Sequence, residues 1–498
     1  SGGTLSGTIA GTPTLSGANF ISLSNIAQDA TAYSILGNTT GAAANYAPFT
    51  IGGLTNKAAP TSSDLVLIQD QAAGGALKQS TVGQIVGSVG VSSLNGLTGP
   101  LNLQGSATNG ITVSPSGSNI TLGTAFTRAG TGAVTTTVSA RLQEGAIFLQ
   151  DYGADCTGAA DSTTAFTDAV AEALSARQPI QICQGTVKVN IASGASITAG
   201  ISIGGAGRGL SIINNTNTGG TLLSLATTSP IYLHDFGYQV TGTPTAGAFV
   251  SDAALASGEN AASVYERISC TNVWDCLYLG RSSQWLVHGS FFSNAYDKHI
   301  YVANANNVDS GDSEISASNF VEFQGGVCAT TGIDIYQQSS GGLRIVGNKF
   351  NCGQYQYYLY ATGSSSDTLI NGNSFENCAG TCIVFQNSSS SYAWGNVEIT
   401  GNEIAPFVSG VSAIQVNGTS GWMNAMTISG NVGSVSGVAS WATISGYTSA
   451  LSFTGNSISG PSGSNILNPG SNITNCHYSG NSSATLSQLA GGTSCTNN

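Results

Sequence analysis

The sequence predicts an all-β fold in which the chain winds into a parallel β-helix, a solenoid of stacked coils. The first observation is a repeated motif of the form apolar-x-Gly-Asn-x-apolar, whose copies are spaced by 25, 29, 29, 25 and 25 residues. Its asparagines are Asn348, Asn373, Asn402, Asn431, Asn456 and Asn481, and degenerate copies extend the register back to Ser318 and Ser290. A fixed period of this length indicates a repeat architecture.

Two further observations favour strands over helices as the repeating unit. Each repeat is rich in β-branched and aromatic residues and alternates apolar with polar positions, which is typical of strands. Charged residues make up only 7% of the 498 residues, so the coils must be held by backbone ladders and by hydrogen bonds of Asn, Ser and Thr. In each motif we expect glycine to supply a positive φ and asparagine to hydrogen-bond the next coil, about 4.8 Å away.

The composition divides the chain near residue 140. Residues 1–140 contain no Cys or Trp, and their three Asp balance two Lys and one Arg, so the net charge of −12 belongs to residues 141–498. After Glu403 there is no Asp, Glu, Lys or Arg. The expected regions are a fibre-like N-terminal region of small β modules at 1–140, an N-terminal cap at 141–200, the parallel β-helix at 201–481 and a C-terminal end segment at 482–498.

One helix is expected before the coils, over residues 164–176. The apolar positions with helical spacing are Phe166, Val170, Ala173 and Leu174. Asp161 and the Ser and Thr residues after it offer N-cap side chains. A helix here would cover the apolar side chains and open strand edges of the first coil.

The segment around this helix resembles the start of pectate-lyase-like β-helix domains. It contains the run Ile-Phe-Leu-Gln-Asp-Tyr-Gly-Ala-Asp at 147–155, then Gly158, the helix, and a strand that ends at Gly185. The resemblance implies that the β-helix, over about residues 141–480, is right-handed and that this segment caps it. The chain departs from the family pattern at Cys156, where glycine is common, and in the Cys-Gln-Gly at 183–185, where Pro-Pro-Gly is usual.

The N-terminal region resembles the attachment regions of phage tail fibres and tailspikes at 62–70, 78–82 and 94–101. Together with the β-helix, the chain looks like a bacteriophage tailspike or tail fibre protein. That resemblance implies a homotrimer in the virion tail, made in the host cytoplasm and joined to tail or baseplate proteins through its N-terminal region. It also implies binding, and often cleavage, of a bacterial surface polysaccharide such as capsule or O-antigen during host adsorption.

Other classes of protein remain open or are disfavoured by composition. A non-enzymatic receptor-binding fibre would share the same fold, and composition alone would equally admit a secreted adhesin or polysaccharide lyase. With 24 acidic and 12 basic residues, binding to nucleic acid is not expected. No run of about 18 apolar residues indicates a membrane span, and the first residues lack the features of a signal peptide. Four scattered His residues offer no zinc-ligand spacing, so neither metal nor cofactor is expected.

Alternation predicts a column of tyrosines on one outer face. In Leu-Tyr-Leu at 277–279, Ile-Tyr-Val at 300–302 and Ile-Asp-Ile at 333–335, the apolar flanks should point inward and the middle residues outward. Tyrosine offers a flat apolar area with a polar tip, which suits stacking against pyranose rings, although such a ladder could equally pack at a trimer interface. The expected substrate-binding residues are Tyr278, Tyr301, Tyr336, Tyr358, Tyr360 and Arg344.

Carboxylates concentrate between residues 309 and 334. The expected catalytic residues are Asp312, Glu314 and Asp334. Glycoside hydrolysis needs two carboxyls about 5–5.5 Å apart for retention or 6.5–9.5 Å for inversion, and side chains on neighbouring coils can meet either requirement. Glu314 and Arg344 each stand four residues before a motif position, so they should be neighbours. They would form an ordinary surface ion pair, or Arg344 would hold an acidic sugar or orient Glu314. A lyase would instead use Arg344, Lys349 or His299 as its base.

The ten cysteines fall into five pairs by position. The expected disulfides are Cys156–Cys183, Cys270–Cys276, Cys328–Cys352, Cys378–Cys382 and Cys476–Cys495. An even count fits disulfides in an extracellular particle. The alternative is ten buried thiols, because phage proteins assemble in a reducing cytosol.

Overall fold

The computed structural model describes residues 145–303, most of 311–483, the segments 58–74 and 76–88, and isolated strands elsewhere. The chain divides into two compact units, Ser1–Gly123 and Thr124–Asn498. Within the described residues, no helix is both long and apolar enough to cross a membrane.

The first unit contains an antiparallel hairpin of the strands Leu65–Asp70 and Ala76–Thr81. A 3-10 turn, Gln71–Ala73, joins the two strands, and helix α1, Val82–Ser88, follows them. Four consecutive apolar side chains of the first strand, at 65–68, are 38–63% exposed, so both faces of this strand are open in the single chain. The other strands before residue 140 are Ser34–Gly37, Ala47–Thr50, Ser93–Leu94, Leu97–Thr98, Ile111–Ser116, Asn119–Phe126 and Thr136–Thr137.

The second unit is a parallel β-helix, as predicted, whose coils build three columns of parallel strands, here called sheets 1, 2 and 3. Sheet 1 has 14 strands in sequence order along the stack. They are Ile147–Phe148, Ile180–Gln181, Ser202–Gly204, Tyr232–His234, Val264–Glu266, Leu286–His288, Glu314–Ser316, Leu343–Val346, Thr368–Asn371, Trp394–Thr400, Met423–Ser429, Leu451–Thr454, Cys476–Ser479 and Cys495–Asn497.

Sheets 2 and 3 are joined, because the long strands Ser269–Tyr278 and Phe291–Val302 run through both. The other strands of sheet 2 are Gly185–Val189, Ser211–Asn215, Gly237–Val240, Asn319–Gln324, Lys349–Cys352, Ser374–Cys378, Glu403–Pro406, Val432–Ser434 and Ser457–Ser459. Those of sheet 3 are Ser193–Ile197, Thr221–Leu225, Ala248–Ser251, Ile333–Gln337, Tyr355–Ala361, Ile383–Asn387, Ile414–Asn417, Ser440–Ile444, Asn465–Pro469 and Ser487–Leu489. The short strands Asn260–Ala261, Ser282–Ser283 and Val327–Cys328 lie in the connections between coils.

The Gly-Asn motif forms the corner between sheets 1 and 2. At one corner Gly401 has φ +64°, and the buried Asn402 side chain accepts the backbone N–H of Asn373 at 2.9 Å. Its Nδ2 donates to the carbonyl of Ile370 and to Oδ1 of Asn431. The same bonds recur through all six motifs, so the predicted hydrogen bonding from coil to coil is confirmed as one asparagine ladder.

Aromatic rings fill the interior beside this ladder. Four inward phenylalanines of sheet 2 stack in successive coils, with ring centroids 4.6–4.7 Å apart. They are Phe292, Phe320, Phe350 and Phe375. The spacing of the rings equals the rise per coil, so each coil adds one ring to an uninterrupted apolar stack.

Helix α2, Thr163–Ala176, covers the first coil and is confirmed to within one residue. Its buried face includes Phe166, Val170 and Ala173, whereas Leu174 is only partly buried. The backbone N–H at its start, on Thr163, is accepted by the carboxylate of Asp161 at 2.9 Å, while Ser162 makes no capping bond. Before it, the 3-10 turn Leu149–Tyr152 begins the segment.

Four of the five predicted disulfides are present among the described side chains. They are Cys156–Cys183, Cys270–Cys276, Cys328–Cys352 and Cys378–Cys382. Cys476 is also disulfide-bonded, and its backbone pairs in register with Cys495, whose side chain lies outside the described residues. The alternative of ten reduced thiols is therefore wrong for this structure.

Candidate functional site

Sheet 3 carries a continuous column of tyrosines on its outer face. Strand register pairs Tyr278 with Tyr301, Tyr301 with Tyr336, and Tyr336 with Tyr358. The successive ring centroids lie 4.9, 5.2 and 5.5 Å apart. Tyr360 lies beside Tyr358 on the same strand, with the two ring centroids 6.4 Å apart. The five tyrosines that alternation selected thus form one surface, here called the tyrosine column.

The column combines apolar area with protonated hydroxyls. Burial raises the pKa of Tyr278, Tyr301, Tyr336 and Tyr358, the last to about 12, so the phenols remain hydrogen-bond donors at neutral pH. Tyr355 adds a sixth ring, stacked 4.9 Å from Tyr358. Sequence reasoning missed it because it precedes the alternating triplet, although its spacing of three from Tyr358 was visible.

Charged groups border the column at one edge. The ammonium of Lys298 lies 4.6 Å from the ring centroid of Tyr301 and 2.5 Å from the carboxylate of Asp297. In the neighbouring coil Asp275 stands in register with Lys298, is 8% exposed, and leaves its Oδ1 without a hydrogen-bond partner. Burial raises the pKa of Asp275 to about 7. None of these three groups was selected from the sequence, since their proximity depends on coil register.

Sheet 1 carries the other predicted polar residues. Glu314 and Arg344 are opposite each other in register, with Nε and Oε2 3.7 Å apart, so the expectation that they are neighbours is confirmed. Arg344 lines an open groove of about 540 Å³ on the outer face of the sheet. Its polar lining comprises Asp312, Arg344, Asp367, Thr368, Asn396 and Glu398. Asp367 and Glu398 were not selected from the sequence.

Asp312 and Asp367 occupy the same corner position in their coils, with φ angles of +54° and +45°. Gln284 and Gly342, at the equivalent position of other coils, also have positive φ, +54° and +75°, so this conformation belongs to the repeated corner before the sheet 1 strands. Gly342 lies in the coil between the two aspartates, where an added Cβ would come within 2.5 Å of Asp312 Oδ1. Oδ1 of Asp312 therefore lies over Gly342, and the backbones of Asp312 and Asp367 are separated by two coil steps, roughly 9–10 Å.

The predicted outward orientation of Asp334 is wrong. Asp334 is fully buried, and Tyr336 occupies the position in the column that Asp334 was expected to take. The chain turns at Gly332, where φ is +93°, and the two consecutive residues Asp334 and Ile335 then both point inward. Simple alternation fails at such a bend between sheets, so Asp334 cannot contact a glycan on the surface.

The bases considered for a lyase are also dispersed. His299 is fully buried in the interior, and Lys349 lies on sheet 2 with its ammonium 3.5 Å from Glu376. Only Arg344 lies in the sheet 1 groove. The structure thus separates the predicted residues into a tyrosine column on sheet 3, an acidic groove on sheet 1 and an interior carboxyl.

Comparison with known proteins identifies the fold. No family model and no curated protein matches the chain. A solved double mutant of the tailspike protein of Escherichia coli bacteriophage HK620 is similar over 74% of this chain and 70% of that one, with 13% identity and a TM-score of 0.56. A second mutant of that tailspike, in complex with a pentasaccharide, has 13% identity, coverages of 72% and 74% and a TM-score of 0.53. At these identities the likeness establishes a shared parallel β-helix fold.

Proposed function

We propose that this protein is a phage tailspike that binds a bacterial surface polysaccharide, capsule or O-antigen, and depolymerises it during host adsorption. The tyrosine column carries this proposal, because it presents a run of outward rings with donor hydroxyls over consecutive coils. Aromatic faces of this kind suit pyranose rings, and the length of the column suits an extended chain of sugars. The similar tailspike solved with a pentasaccharide supports an oligosaccharide as the ligand of this fold.

Cleavage is assigned to the acidic groove on sheet 1. Asp312 and Asp367 lie two coil steps apart with Gly342 between them. This backbone separation, roughly 9–10 Å, is compatible with the roughly 6.5–9.5 Å between carboxyls that inverting glycosidases use. One carboxyl gives its proton to the leaving glycosidic oxygen while the other takes a proton from the attacking water. Arg344 lines the same groove and would hold an acidic sugar, with Glu314 orienting its guanidinium.

The proposal includes assembly into a homotrimer in the virion tail. The exposed apolar strand at 65–68 gives each chain a surface that another copy would cover. Attachment to tail or baseplate proteins is assigned to the N-terminal region, and the disulfides fit an extracellular particle.

A non-enzymatic receptor-binding fibre is the second candidate. The observation that favours it is the separation of the tyrosine column and the acidic groove onto different sheets of one chain. A fibre that only adsorbs to the host would need the column and not the groove. The two functions share the same fold and differ in whether a bond is broken.

The test is incubation of the full chain with polysaccharide extracted from adsorbing host strains, with new reducing ends as the readout. Asp312→Asn and Asp367→Asn should each lower the cleavage rate by about 100-fold or more, the scale of general acid–base catalysis, while adsorption persists. Tyr301→Ala should weaken adsorption. Glu403→Gln, an exposed carboxylate on sheet 2, serves as the matched control and should retain both properties.

Three other outcomes of this experiment would change the proposed function. Adsorption without release of reducing ends from any strain would leave the receptor-binding fibre as the function. An ultraviolet absorbance from unsaturated sugar ends would identify a lyase. Full cleavage by both Asp variants would show that the groove on sheet 1 is not the catalytic site.

A further inference from the structure

Three ionisable side chains meet inside the β-helix, away from both surfaces described above. His299, Glu322 and Asp334 come from three different strands, Phe291–Val302, Asn319–Gln324 and Ile333–Gln337. Nδ1 of His299 lies 2.8 Å from Oδ1 of Asp334, and its Nε2 lies 3.0 Å from Oε1 of Glu322. All three side chains are fully buried.

The protein leaves this interior cluster incompletely bonded. His299 Nε2, Glu322 Oε2 and Asp334 Oδ2 are buried without a hydrogen-bond partner; the contact of Nε2 with Glu322 lacks hydrogen-bond geometry. The next coil shows what a satisfied polar group looks like at this corner. There Gln356, in register with Asp334, donates to the carbonyls of Cys352 and Glu376. Orphaned buried polar atoms are rare and each calls for an explanation.

The surroundings cannot neutralise the cluster. The His299 ring lies 5.7 Å from the ring of Phe292 and 5.8 Å from that of Phe320. Within the described part of the chain, no Lys or Arg forms an ion pair with either carboxyl. Two carboxylates beside a neutral imidazole sum to −2, which is very costly in an apolar interior. A divalent cation supplies the opposite charge in full.

We propose that His299, Glu322 and Asp334 bind a divalent metal ion in the interior of the β-helix. One nitrogen or oxygen from each residue lies within 4.8 Å of the others, and small movements of these side chains would close them around one ion. The two carboxylate oxygens without hydrogen bonds could serve as further metal ligands, or they could accept hydrogen bonds from groups around the ion. An imidazole with two carboxylates suits zinc or another first-row divalent ion.

Two glycines border the cluster at the turn between sheets 2 and 3. A Cβ at Gly332 would stand 3.4 Å from Glu322 Oε2, and one at Gly353 would stand 3.6 Å from Asp334 Oδ2. The orphaned oxygens therefore face the turn between sheets 2 and 3, where neither turn residue has a side chain. Because the ligands are sealed from solvent, the ion is structural and joins three strand segments of adjoining coils.

The chain contains no His-x-His or similar spacing that would indicate zinc. Such spacing, however, identifies only metal ligands that lie on one local segment. Here the ligands are 23 and 35 residues from His299 along the chain and become neighbours only through the stacking of coils. The alternative to a metal ion is that protons neutralise the carboxyl groups. Burial raises the pKa of both carboxyls, and the nearby Glu322 raises the pKa of Asp334 further.

The experiment measures bound metal in the tag-free full chain. After removal of metal with EDTA, dialysis against Zn²⁺ and removal of free ion, elemental analysis should find about one Zn²⁺ per chain, as for a structural site. Glu322→Gln and Asp334→Asn keep side-chain shape, remove one charge each and should lower the content to about a tenth or less. Glu403→Gln on the surface is the matched control and should bind like the wild type.

A second measurement needs no variant. Co²⁺ added to the metal-free wild type should give the visible absorption of a low-symmetry protein site, and Zn²⁺ should raise the unfolding midpoint while EDTA lowers it. A wild-type chain that binds neither ion, with an unfolding midpoint unchanged by either reagent, overturns the proposal and leaves shared protons as the explanation. Wild-type metal content in both charge-removing variants would overturn it equally.

Discussion

At the residue scale, burial changes what individual carboxyl groups do in this chain. Asp155 lies in the exposed turn before helix α2, where its carboxylate accepts the backbone N–H groups of Thr157 and Ala160, and these bonds lower its pKa to about 2. Asp275 lies under the edge of the tyrosine column, where burial raises its pKa to about 7. An aspartate side chain is thus stabilised in its ionised form at Asp155 and in its protonated form at Asp275.

Asp275 should make stability depend on pH. Its folded pKa of about 7 exceeds the unfolded value of about 3.9, so the folded state binds more protons between these values. Its contribution to stability is therefore present below about pH 4 and is lost as the pH rises towards 7. The variant Asp275→Asn lacks this loss. Its free energy of unfolding, relative to that of the wild type, should therefore be higher at pH 8 than at pH 5 by on the order of 1–3 kcal/mol.

Denaturant unfolding of wild type and variant at the two pH values checks this. Asp168→Asn, at an exposed position of helix α2, is the control and should show no such difference. An Asp275→Asn effect of equal size at pH 5 and pH 8 would contradict the assignment.

At the element scale, the corners between sheets 1 and 2 are set by glycine conformation in most coils and by other residues in a few. Gly430 has φ +63°, and Ala317 holds the equivalent corner with φ +50°. An added Cβ at Gly430 meets no atom within 4 Å, whereas one at Gly433, in the following strand, would lie 2.3 Å from the carbonyl oxygen of Ile404. A side chain at position 430 is therefore disfavoured only by the backbone conformation, whereas a side chain at position 433 is disfavoured by lack of space.

Alanine substitutions should separate these two constraints. Gly430→Ala should cost about 1–2 kcal/mol, the price of a left-handed conformation. Gly433→Ala should cost more, about 2–3 kcal/mol, because a backbone oxygen and the Trp441 indole must move. The measurement is the free energy of unfolding of both variants; equal costs, or a larger cost at Gly430, would refute this account of the corner.

At the scale of the whole molecule, charge is distributed very unevenly. The coils after Glu403 contain no Asp, Glu, Lys or Arg, yet their described parts continue the same sheets and the same asparagine ladder. Apolar side chains remain exposed there, with Phe407 at 67% and Val438 at 68%. Together with the open strand at 65–68, these surfaces favour association with further copies of the chain.

For the proposed homotrimer, light scattering in native buffer should give about three times the chain mass of 50.0 kDa. Leu67→Asp places a charge in the exposed apolar strand and should shift the distribution towards smaller species, whereas Lys78→Gln on the paired strand should not. A wild-type mass of about 50 kDa at all concentrations would exclude the trimer.

Features that repeat, or that lie close together along the chain, could be predicted from the amino-acid sequence. The period of the Gly-Asn motif gave the parallel β-helix and its asparagine ladder, because every coil must place the same corner in the same position. Helical spacing located helix α2, the order of the cysteines gave four observed disulfides, and alternation selected the tyrosines. Each of these depends on local spacing or on one repeated register.

Contacts among groups at the corners and in the interior depend on the folded backbone. Asp334 turns inward because the strand bends after Gly332, and it joins His299 and Glu322 from other coils. Asp367 joins Asp312 across an intervening coil, on a different sheet from the tyrosines. Coil lengths vary, and each bend of the backbone interrupts the alternation of inward and outward side chains. Near a corner, the direction of a side chain is therefore set by the path of the backbone through the stacked coils. The local pattern of apolar and polar residues does not specify that path.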